Sequence, residues 1–163
     1  MRLVAATDAD RAFVARVWRA VAPRYEPLLP GAFEAEARAV ERQGLSSRYE
    51  TLLLDGADGP VGFAGLATLT PRHAYLAQLY LLPERQRVGH GSEALRLLEG
   101  RVPVTTEALV LHVHRDAGWA RRFYEKNGYG LVAADEDGSR AWAGGLLAGW
   151  TPASTLLLGR ALR

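Results

Sequence analysis

The chain has no cysteine. Disulfides, thiolate metal sites and a thiol nucleophile are therefore excluded, and any acyl chemistry must avoid a Cys-bound intermediate. Lysine is almost missing too. Lys126 is the only one, so the net charge of +2, from 20 basic and 18 acidic side chains, rests on arginine. The arginines are scattered, with no basic run longer than Arg121-Arg122. Nucleic-acid binders gather such residues on one face, so no nucleic-acid partner is expected. Long apolar runs are also absent: 48% of the residues are hydrophobic, but Arg, Asp and Glu interrupt them at short intervals. That excludes disorder and a membrane span alike, and no membrane partner is expected. The opening MRLVAATDADR meets acidic residues within ten positions. It lacks the h-region and cleavage site of a secretory signal, which leads to a cytoplasmic expectation. With no internal repeat, linker or low-complexity tract, the 163 residues are expected to form one domain, 1–163, burying roughly 70% of the extended-chain surface.

What is present is a regular alternation of patterns. Residues 2–6 read as a short strand, and Thr7 with Asp10 resembles a capping box. Phe13, Val14, Val17, Trp18 and Val21 follow at helical spacing, with Pro23 expected to end the run. Tyr25, Leu28 and Leu29 lie in a proline-flanked loop, readable as a substrate lid or as cover for the core edge. Phe33, Ala37 and Val40 give a weaker helix that stops at Gly44. Then the period changes to that of strands: TLLLD and VGFAGLATLT form a hairpin around DGADGP, and HAYLAQLYLL adds a third antiparallel arm ending at Pro83. A helix through Ala94, Leu95, Leu97 and Leu98 closes at Gly100 and Pro103. ALVLHVH at 108–114 is a buried strand. Asp116 is expected to cap a helix that carries Phe123-Tyr124 and stops at Asn127-Gly128. Strands near 129–134 and 154–162 follow, joined by an irregular loop. The fold class is α/β, one mixed, mostly antiparallel sheet of about seven strands flanked by about four helices.

The stretch LYLLPERQRVGHGSEALRLLE, 79–99, carries the chemistry. A strand passes through a polar loop into Gln86-Arg87-Val88-Gly89-His90-Gly91 and then a helix. Glycine lets a ligand approach the backbone, and the unpaired N–H groups at a helix start attract an anion such as a pyrophosphate. Arg85 and Arg87 either meet a phosphate or are solvated surface.

This segment resembles the pyrophosphate motif of the GNAT (Gcn5-related) N-acetyltransferases, Gln/Arg-x-x-Gly-x-Gly/Ala. Val113, Ala120, Phe123-Tyr124 and Gly128-Tyr129 look like the family's second signature, in the right order and separation. The resemblance covers about residues 75–130 and implies the GNAT fold, with a partly splayed sheet. It also implies acetyl-CoA as co-substrate, with no metal. The pyrophosphate would rest on the amides of Arg87, Val88, Gly89, His90, Gly91 and Ser92, with Gln86 opening the loop. The pantetheine arm would lie along the backbone of Leu79, Tyr80 and Leu81, and the N–H near Leu81 would stabilise the oxyanion.

The implied reaction is acetyl transfer to a primary amine of a small molecule or peptide by direct attack in a ternary complex, consistent with the missing cysteine. Tyr124 aligns with the family's general acid for the departing thiolate; alternatively it packs on Phe123. The amine must lose a proton. Relatives often place a carboxylate on the strand before the motif, where this chain has only Gln78. His112 and His114 share a face of the next strand, and His112 is the candidate base, against a polar strand-end residue or a water relay; His73 and His90 are further imidazoles. Where relatives often have a cofactor-binding Asn, this chain has Ala117. Tyr25, Trp142 and Trp150 border the acceptor region, where Glu34, Glu36, Asp135, Glu136 and Asp137 either form a cation site or are solvated. The last strand is a candidate for pairing across a homodimer. Two other readings compete: a non-catalytic CoA-binding or sensing module, and an NAD-dependent oxidoreductase, since Gly89-His90-Gly91-Ser92-Glu93-Ala94 also fits Gly-x-Gly-x-x-Gly/Ala.

Overall fold

The computed structural model describes all residues, 1–163. In chain order the elements are β1 (Arg2–Ala5), α1 (Arg11–Tyr25), α2 (Ala32–Gln43), β2 (Glu50–Gly56), β3 (Gly59–Thr70), β4 (His73–Leu81), α3 (His90–Arg101), β5 (Ala108–His114), α4 (Gly118–Lys126), β6 (Gly130–Ala133), α5 (Glu136–Gly145) and β7 (Thr155–Ala161), with 3-10 turns at Asp8–Asp10 and Pro83–Arg85. The seven strands run in the order β1-β2-β3-β4-β5-β7-β6. The pairs β1–β2, β2–β3, β5–β7 and β6–β7 are antiparallel, and β4–β5 is parallel. No helix is long and apolar enough to cross a membrane.

By contacts the chain divides into two compact units, Met1–Ala67 with Ala77–Arg101, and Thr68–Leu76 with Val102–Arg163. In the first unit the core is built where α1 and α2 bury Val14, Val17, Trp18, Val21, Phe33 and Ala37 with Phe63 of β3. The α1 set falls at i, i+3, i+4 and i+7, the apolar stripe that puts one helix face against its neighbours. Trp18 meets Phe33 edge to face at 5.0 Å and Tyr80 of β4 at 4.8 Å. Such rings each contribute about 1.5–3 kcal/mol by burial. Tyr25 stacks on Phe33 at 4.5 Å, so it covers the core edge. The helix runs through Pro23 to Tyr25 instead of stopping. In this last turn proline removes one hydrogen bond, and Glu26 N–H still reaches the Ala22 carbonyl. Asp10 does accept from Thr7 N–H at 2.7 Å.

In the second unit Leu109, Val110, Leu111 and Val113 of β5 and Leu156, Leu157 and Leu158 of β7 are buried. β7 is paired along its length by β5 and at Leu157–Gly159 by β6, so the middle of the strand is not the free edge that pairing with a second copy needs. The segment expected as a loop contains α5, a fifth helix. Asp135 caps it by accepting from Gly138 N–H, and it kinks at Trp142–Gly144, where Ala143 and Gly144 take positive φ.

Candidate active site

β4 ends in an exposed backbone edge. Leu82 N–H donates to Val61 O on β3. A Cβ on Gly62 would come within 2.1 Å of Tyr80 O, so β3 approaches this side closely only because residue 62 is glycine. Backbone groups alternate along a strand, so those of Tyr80 face β3 while those of Leu79 and Leu81 face the other way. On that other side the ladder with β5 has only three pairs, His73–Ala108, Ala74–Leu109 and Tyr75–Val110, although β4 runs on to Leu81. The Leu79 and Leu81 N–H groups thus stand at an open edge. Tyr80, expected to contact the cofactor with its backbone, belongs to the β3 side, and its ring joins the Trp18, Phe33 and Phe63 cluster.

Beyond β4 the chain turns through Pro83–Arg85 into the loop 86–89. Gln86 Nε2 donates to Leu81 O at 2.9 Å, bracing the strand end against the loop. Arg87 takes φ 63 and Gly89 φ 90, Val88 is 68% exposed, and a Cβ on Gly89 would meet nothing within 4 Å. The first helical bond of α3 runs from Glu93 N–H to Gly89 O, so the N–H groups of His90, Gly91 and Ser92 precede any intrahelical acceptor. This is an open cradle of amides at the positive end of a 12-residue helix. Its shape and donor set suit a pyrophosphate, and the backbone of Leu79 and Leu81 suits the amide groups of a pantetheine arm.

The family model for the acetyltransferase (GNAT) family matches residues 16–129. The chain belongs to the GNAT family. Similar solved structures include an acetyltransferase from Thermus thermophilus, with 21% identity over 99% of this chain and 97% of that one at a TM-score of 0.71. The PaiA N-acetyltransferase of Thermoplasma acidophilum in complex with coenzyme A shares 18% identity over 98% of both chains, again at 0.71. Aminoglycoside 6'-acetyltransferase type Ii shares 14% over 100% and 98%, at 0.64. No functionally curated protein matches the chain in sequence.

The GNAT sheet excludes the oxidoreductase reading: there is one parallel strand pair and no repeated βαβ unit, and the Pro83–Arg85 turn separates β4 from the first glycine. No three His, Asp or Glu side chains converge as metal ligands. The second signature lies in β5 and α4. Phe123 and Tyr124 sit 5.0 Å apart, Tyr124 is 5.8 Å from buried Tyr129, and both Phe123 and Tyr124 are half-buried. Gly128, at φ 88, ends α4 as expected. Asp116 is not the cap of α4. The N-cap is Ala117, with no side-chain cap, and Asp116 N–H donates to His114 Nδ1 at 3.1 Å.

His112 is a poor base. Its Nδ1 shares a 2.8 Å hydrogen bond with the hydroxyl of buried Tyr75, and its Nε2 is sealed without a partner. Burial pushes its pKa down to about 4. A site that disfavours the imidazolium this strongly does not take a proton from an ammonium near neutral pH. His73 shares a hydrogen bond with Thr70 and packs on Trp142. Four of the five acceptor-region carboxylates are engaged: Glu34 with Arg19 and Arg38, Asp135 with Gly138 N–H, Glu136 with Ser154 N–H and Arg115, and Asp137 with Arg140. Glu36 has no ion pair; sequence alone could not single it out, because Arg19 reaches Glu34 and Glu41 from another helix.

Proposed function

We propose that the protein is a single-domain cytoplasmic N-acetyltransferase that moves an acetyl group from acetyl-CoA to a primary amine in a ternary complex. The observation that carries this reading is the amide cradle of residues 87–92 directly following the open edge of Leu79 and Leu81. Gln86 keeps the two in register by holding Leu81 O. The cradle amides bind the pyrophosphate, with Arg85 and Arg87 adding mobile positive charge.

The acceptor loses its ammonium proton to solvent and attacks the thioester carbonyl carbon as a neutral amine. Leu81 N–H donates to the carbonyl oxygen as negative charge develops there. The C–N bond forms as the carbonyl electron pair moves to oxygen; when the carbonyl re-forms the C–S bond breaks, Tyr124 protonates the departing thiolate, and the phenol regains its proton from the acetylated nitrogen. No covalent enzyme intermediate is needed, consistent with the missing cysteine.

Thiol release from acetyl-CoA against an amine library tests this reading, paired with calorimetry of acetyl-CoA binding. Binding with amine-dependent thiol release is expected. Absence of binding at millimolar acetyl-CoA overturns the reading, and tight binding without transfer to any amine replaces it with a CoA-sensing module.

A further inference from the structure

α4 is nine residues long, buries none of them and has no side-chain cap at its start. A helix this short is marginal by itself, so its exit matters. There Gly128, at φ 88, turns the chain. Gly128 N–H donates to Glu125 O and Tyr129 N–H to Tyr124 O, the paired bonds of a Schellman motif. Asn127 N–H also donates to Tyr124 O, and Asn127 Nδ2 donates to Phe123 O at 2.8 Å. Tyr129 is buried, and its ring lies 5.8 Å from that of Tyr124. Tyr124 is thus tied to the turn that follows it through both its carbonyl and its ring.

Arg160, half-buried near the end of β7, closes this turn from the sheet. Its backbone is held in the ladder with β5, opposite Leu109. Its Nη1 donates to Asn127 O at 3.0 Å. The guanidinium lies against Gly128, where a Cβ would come within 3.6 Å of Nε and Cζ. The negative end of the helix dipole favours a cation at the last carbonyls, and the planar group offers a flat face as well as a donor.

We propose that Arg160 is a positioning residue for Tyr124: by locking the last turn of α4 through Asn127 O, it fixes where the phenol hydroxyl lies when the thiolate departs. This role rests on the transferase reading above, and within it on Tyr124 as the acid.

The test is a double-mutant cycle in the full chain, with kcat read as thiol release from acetyl-CoA by the primary amine of the library that turns over fastest. Arg160→Met keeps an unbranched stem and removes the donors. It should lower kcat by about 3- to 10-fold, the worth of one partly solvated hydrogen bond, with KM for both substrates within about 2-fold of wild type. Arg160→Lys, which retains a charge and a donor, should recover part of the loss. In a Tyr124→Phe background the Arg160→Met change should leave kcat untouched, because the group it positions is gone. A merely structural arginine would cost the same in both backgrounds, so equal losses overturn this inference alone, as does an unchanged kcat in Arg160→Met. Hydrogen exchange of the wild type needs no variant: the Gly128 and Tyr129 amides should be protected, and exchange there at unstructured-chain rates also overturns the inference. If Tyr124→Phe turns over like the wild type, Tyr124 is not the acid and this role falls with it. Failure to bind acetyl-CoA, or to transfer to any amine, overturns the transferase reading itself and this inference with it.

Discussion

Two helices of this protein start just past the ends of strands, and their entrances differ. At α3 the chain arrives through Arg87 and Gly89 in left-handed conformations, exposes Val88, and leaves the first amides uncovered. At α4 the entrance is closed: Ala117 is 1% exposed, its N–H donates to His114 O, and Asp116 N–H donates to the His114 ring. Both helices have the same dipole, so the dipole alone does not make an anion site. What distinguishes them is the chain leading into the first turn, open at Val88 and Gly89 before α3 but packed and hydrogen-bonded at Asp116 and Ala117 before α4.

The comparison breaks most sharply at Gly89. Gly89→Val strains a residue at φ 90 by about 1–2 kcal/mol and places methyl groups in the open space that an anion would occupy. Calorimetry should show acetyl-CoA affinity reduced by about 100-fold or more. Next in size, Tyr124→Phe should lower kcat by about 10- to 100-fold with acetyl-CoA affinity nearly unchanged; equal turnover assigns the phenol to packing. At the closed entrance the corresponding test is Ala117→Asn. It forces a larger polar side chain into a packed site and should cost about 1–3 kcal/mol, read from denaturant unfolding.

The smallest effect concerns His112. Its folded pKa, about 4, lies below the ordinary 6.5, so between these values the unfolded chain binds more protons. Stability attributable to this group is therefore intact above pH 6.5 and is lost as pH falls toward 4, by about 1–2 kcal/mol once partial solvation is allowed for. His112→Gln should flatten the melting temperature over this window. An unchanged pH slope would show that the imidazole is not held neutral.

Local pattern revealed much of this. ALVLHVH has the bounds of β5 in full, since a continuous apolar run between turn signals admits little else, and the glycines of 86–91 announce their cradle because backbone approach depends on the missing Cβ itself. The fifth helix was hidden because Glu136–Gly145 contains Gly138, Gly144 and Gly145 and kinks at Trp142, so no stretch of helical period is long enough to read. Asp116 has the chemistry of a cap, but the β5–α4 corner turns one residue later. The fate of His112 was illegible, because its desolvation arises where Tyr75 of a parallel neighbour closes over it. The distinction between Glu34 and Glu36 likewise depends on where Arg19 points.

Hydrogen exchange at the amides of residues 87–92 with and without saturating CoA tests the central claim most directly. If main-chain donors grip the pyrophosphate, the amides of Val88 through Ser92 should exchange much more slowly in the complex. Unchanged exchange there, in a protein shown by calorimetry to be fully bound, would contradict the account.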